Sequence, residues 1–98
     1  MTEALTLLKQ DLHISTGAMD DYLANMVVAS EEYIRDEGIR LDLAQTGDLM
    51  LLVQYAAFLY RSRAGTGAAL SPVTEMPRPL RWALNNRLMQ QKGGDSYG

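Results

Sequence analysis

Residues 49–60 read LMLLVQYAAFLY, an apolar run broken by one amide, Gln54. At the ~20 residues a spanning helix needs, the run is too short to cross a membrane. Read as a helix, it is apolar nearly all the way round. Leu49, Leu52, Val53, Ala56 and Tyr60 line one face, and Leu51, Tyr55 and Phe58 line another. A helix with two apolar faces belongs at the centre of a bundle. The alternative is that the face carrying Leu51, Tyr55 and Phe58 meets a second subunit.

Three further helical segments supply the covering. Residues 3–12 place Leu5, Leu8 and Leu12 at helical spacing, with Thr2 as an N-cap. Residues 18–37 form a second helix, with Asp20 and Asp21 at its positive end and Leu23, Met26, Val27, Ser30 and Ile34 on one stripe. Gly38 then stands where a left-handed C-cap is wanted. The central helix spans 48–64, capped by Thr46 or Asp48. A glycine-, serine- and proline-punctuated link, 65–78, leads to a last helix over 79–92, with Pro79 as its first residue. Leu80, Ala83, Leu84 and Leu88 form its inner stripe. Gly93-Gly94 ends it, and 93–98 reads as a flexible tail. No strand is credible. The fold class is all-α, a small bundle of four helices with a long loop before the last, in a single domain over 1–92.

Chemistry finds little support. There is no cysteine, which excludes disulfides, thiolate catalysis and Cys-ligated zinc. His13 is the only histidine and sits at a helix end, where it reads as a capping or packing residue. The pairs Asp20-Asp21, Glu31-Glu32 and Asp36-Glu37 diverge by ~100° on a helix and do not converge on one ion. Gly65-Thr66-Gly67 lacks the lysine and hydroxyl of a phosphate loop. No catalytic, cofactor or metal site is expected, no signal peptide is visible, and the chain reads as a non-enzyme.

Charge is distributed unevenly. Residues 1–48 hold ten acids and three bases, a balance of 3 − 10 = −7; residues 49–98 hold two acids and six bases, 6 − 2 = +4. Either the fold intermixes the two halves, or opposite faces favour head-to-tail self-association. Asn85-Asn86-Arg87 and the C-terminal arginines raise a DNA-binding reading, which the acidic whole and the long linker before the basic helix disfavour. On the last helix, Trp82 and Met89 fall opposite the leucine stripe, flanked by Arg78, Arg81 and Asn85. Trp82 either folds over a neighbouring surface or anchors a partner, since Trp, Met and Arg are enriched at interface centres. Arg61, Arg63, Arg78, Arg81, Trp82 and Met89 are the candidate partner interface.

The order of parts resembles a known family. LKQDLHI is followed by DDYLANMVVASEEYI, then LLVQYAAFLYRSR, then a variable loop and MPRPLRWALNNRL. This pattern, over about residues 5–88, is similar to that of the small head–tail connector (head-completion or adaptor) proteins of long-tailed bacteriophages and prophages. The resemblance implies a four-helix subunit in a ring, usually dodecameric, beneath the portal at the head–tail junction of a virion assembled in the bacterial cytoplasm. It implies no cofactor and no enzymatic activity. Its partners would be further copies of itself, the portal, the next stopper or tail-completion protein, and duplex DNA passing without sequence specificity. A small helical interaction module, such as a regulator or tail-assembly factor, is the alternative.

Overall fold

The computed structural model describes residues 2–66 and 76–97. Among the described residues there are four helices: α1 (Thr2–Asp11), α2 (Asp20–Asp36), α3 (Thr46–Thr66) and α4 (Arg78–Tyr97). No strand occurs among the described residues. α3 is the axis of the bundle and packs against each of the other three helices, while α1 also packs on α2. Between residues 48 and 60 only Met50 and Gln54 are exposed. The others meet Ala4 and Leu8 from α1, the Leu23–Met26–Val27–Ile34 stripe of α2, and Leu80 and Leu84 from α4.

That arrangement corrects one expectation. Leu51, Tyr55 and Phe58, offered above as an inter-subunit face, are buried within this chain. The reason is positional: with α1 and α2 on one side and α4 on the other, both apolar faces of α3 are covered intramolecularly. Tyr55 stacks on Tyr33 at 6.2 Å between ring centroids and meets Phe58 edge-on at 6.1 Å. Burial, with the nearby Glu37 charge, pushes the Tyr55 phenol up to about 12.

The helix ends follow local rules. α1 and α2 both close with a Schellman motif, in which the two residues past the cap turn their N–H groups back onto the last turn. At α2 the left-handed residue is Gly38, φ 90°, as expected; its N–H donates to Arg35 O (2.8 Å) and that of Ile39 to Ile34 O (3.3 Å). At α1 the same position is taken by His13, φ 59°. Its N–H donates to Gln10 O (3.2 Å), and that of Ile14 to Lys9 O (2.9 Å). His13 is therefore a capping residue through its backbone. Buried Ser30 donates its hydroxyl to Met26 O (2.7 Å), one turn back, which satisfies it inside the stripe.

Several boundaries shift. Thr2 is the first helical residue and not a cap. α3 begins at Thr46, and the Leu49 N–H donates to Gln45 O (3.0 Å). Asp48 does not cap α3, because its carboxylate is engaged elsewhere. Gly65 and Thr66, assigned above to the link, close α3, and α4 starts at Arg78, one residue before Pro79. α4 also continues past Gly93-Gly94 to Tyr97, where a stop and a tail were expected. Glycine weakens a helix by roughly 1 kcal/mol but keeps its N–H, so it does not interrupt the ladder as proline does. Most of the 65–78 link, residues 67–75, lies outside the described residues.

Candidate protein-interaction face

α4 lies antiparallel to α3: Arg87 reaches Asp48 near the start of α3, and Pro77 and Leu80 stand near Phe58 and Ser62 towards its end. Leu80 and Leu84 are buried and Ala83 and Leu88 pack partly against the core, and three polar side chains on the inner surface of α4 complete the attachment. Arg87 grips Asp48 with both arms, Nε to Oδ1 at 2.7 Å and Nη2 to Oδ2 at 2.9 Å. Its Nη2 also donates to Arg40 O (2.9 Å), and the Asp42 N–H donates to Asp48 Oδ2 (2.8 Å). The Asp48 side chain is only 9% exposed. The hydrogen bonds from Arg87 hold its carboxyl below the usual carboxylate range against the opposing effect of burial, helped by the Asp42 N–H and the Arg87 charge. Arg81 makes a second forked pair, with Glu37, at 2.6 and 3.1 Å. Gln91 caps the set: its amide donates to Gly38 O (2.9 Å) and accepts from Arg40 N–H (2.7 Å).

These pairs revise the reading of the basic half. Arg81 and Arg61, both candidate partner residues, are engaged inside the chain, Arg61 with Asp11 Oδ2 at 3.0 Å. Arg87, considered for DNA, faces inward. Lys9 pairs with Asp20 at 2.7 Å as well. Three arginines of the basic half, Arg61, Arg81 and Arg87, are thus each paired with an acid of the acidic half. The Arg63 side chain lies outside the described residues. Arg78 is exposed and has no ion-pair partner among the described residues.

Trp82 and Met89 are 69% and 71% exposed, the two most exposed large apolar side chains described. With Arg78 and Asn85 they occupy positions i, i+4, i+7 and i+11 of one α4 stripe, turned away from the leucines. Trp82 also forms one wall of a groove of about 810 Å³ along the α3–α4 seam, floored by Ala57, Phe58 and Leu80, with the Arg61–Asp11 pair at its rim. A second hollow, about 290 Å³, continues past Trp82 towards Met50 and Gln90. An indole held over an apolar groove on a helix fixed by forked ion pairs has the composition of an interface centre.

Among the described residues no cluster of three or more metal-ligating side chains occurs, and no helix is long and apolar enough to cross a membrane. The residues missed from sequence were Glu37, Asp48 and Gln91. The signal available was position: Arg87 and Gln91 stand three and seven residues after Leu84, on the inner stripe itself, and polar side chains there need partners.

The chain is an all-α protein, a small four-helix bundle that presents a tryptophan-centred face on its last helix. No protein-family model, curated protein or solved structure matches it.

Proposed function

We propose that the chain is a non-enzymatic, cofactor-free structural subunit of a phage or prophage head–tail connector. It would form a ring below the portal that lengthens the DNA channel and presents the docking surface for the stopper or tail-completion protein. The observation that carries this reading is the exposed Trp82–Met89 stripe on a helix whose opposite side buries Leu80 and Leu84 and pairs Arg81 and Arg87. An aromatic side chain offers ~150–250 Å² for burial, so Trp82 leaves roughly 2–4 kcal/mol of burial unrealised in the isolated chain. A contact with another protein would recover part of it. The order of helices and the residues quoted above supply the particular class of partner.

A connector subunit assembles on its platform. Light scattering and negative-stain microscopy of the chain, alone and with the portal of the same virion, test this. The expected result is a closed ring of many copies on the portal. A complex of one or two copies would favour the small interaction module instead, and no association at all would overturn the connector reading.

A further inference from the structure

α2 carries on its outer side a stripe that matches the α4 stripe in spacing. Asp21, Asn25, Val28 and Glu32 stand at i, i+4, i+7 and i+11, with Asp36 one turn further, all exposed. Asp21, Glu32 and Asp36 have no ion-pair partner among the described residues, in contrast to Glu31, which pairs with Arg35. Val28 is the exposed aliphatic residue at the middle of this acidic face. The outward stripe of α4 carries Arg78, which has no ion-pair partner among the described residues, then Trp82, Asn85 and Met89.

We propose that the outer face of α4 in one copy seats antiparallel on the outer face of α2 in the next copy. In one register Arg78 meets Glu32, Trp82 meets Val28 and Asn85 meets Asn25, while Met89 falls beside Asp21. At three of the four positions the groups match, cation to anion, apolar to apolar and amide to amide, and the antiparallel helix dipoles attract. The two stripes are equally long, each spanning i to i+11, or ~16 Å at the helical rise. The two faces belong to different helices, so used head to tail the contact is heterologous, and repetition produces either a closed ring or an open filament. One helix on one helix buries less than the ~1,200 Å² at the lower end of stable interfaces, so a single contact is weak and closure on a platform sustains it. This deepens the ring reading and rests on it.

Because the chain has no cysteine, introduced thiols report without background. Asn25→Cys and Asn85→Cys chains, mixed at high concentration or on the portal and oxidised, are expected to give a covalent dimer that neither forms alone. A chain carrying both gives a ladder. Asp36→Cys with Asn85→Cys, eleven residues out of register, gives none. Arg78→Glu is expected to lower the linked yield about threefold, as for an exposed ion pair, and Glu32→Arg in the partner copy to restore it. Self-linking of either single variant to the same extent as the mixture overturns the proposal. So does a ring on the portal in which positions 25 and 85 do not link, an outcome that leaves the connector reading standing. Absence of both ring and link removes the two together.

Discussion

Asp48→Ala probes the attachment of α4 most sharply. The substitution removes the acceptor of three hydrogen bonds, two from Arg87 and one from the Asp42 N–H. It leaves a guanidinium only 23% exposed without its counter-ion. Breaking a buried ion pair by deleting one partner costs about 3–5 kcal/mol. Arg87 keeps its bond to Arg40 O and some access to water, so the lower end, about 3 kcal/mol, applies here. Urea unfolding followed by far-ultraviolet circular dichroism reads the loss. Arg87→Met combined with Asp48→Ala is expected to cost less than the sum of the two single changes, because it leaves no orphaned charge. The pH dependence has a fixed sign. The Asp48 carboxyl has a lower pKa folded than unfolded. Its contribution is therefore present above the unfolded carboxylate pKa, about 4, and is lost as pH falls through the folded value. The stability gap between the native chain and Asp48→Ala should be full at pH 7 and shrink below about pH 4. A loss under about 0.5 kcal/mol at pH 7, no more than an ordinary surface substitution costs, would refute the reasoning, as would a gap unchanged at the lowest pH at which the chain folds.

Trp82→Ala is expected to leave circular dichroism and unfolding within about 0.5 kcal/mol of the native chain, as an exposed position should. The same change should weaken portal docking by more than ~1 kcal/mol; an unfolded variant would place the indole in the core. Phe58→Ala should destabilise the isolated chain by about 3–4 kcal/mol, the cost of a buried aromatic, measurable in the same urea titration. A neutral Phe58→Ala would return that face to an inter-subunit role. His13→Gly relieves a left-handed backbone and should raise stability by about 1 kcal/mol, whereas a loss would show that the His13 side chain contributes more than the cap.

Helix number and order were legible because each segment carries its own stripe at a 3.6-residue period. Gly38 announced its cap through the one property glycine has for that position. His13 was legible only as a capping or packing residue at a helix end, because nothing in the composition marks a non-glycine residue for the left-handed position it takes. The role of the second α3 face was not legible either. Leu51, Tyr55 and Phe58 look the same whether other helices of the chain or another subunit covers them, and only the packing of α2 and α4 along α3 decides it. The arginines were counted correctly and assigned outward by default. Pairing Arg81 with Glu37 and Arg87 with Asp48 spans 44 and 39 residues, a distance over which charge spacing along the chain says nothing. Trp82 and Met89 were legible since they fall opposite a complete leucine stripe, a purely local relation.

The chain contains one tryptophan, so a 5-fluorotryptophan label gives a single fluorine signal that reports on Trp82. The solvent isotope shift of that signal, measured on the free chain and on the chain assembled with portal, tests the central claim directly. A water-exposed indole in the free chain that loses its isotope shift within a multi-copy ring is the predicted result. An indole equally wet in both states would contradict the assignment of this face as the surface on which the protein works.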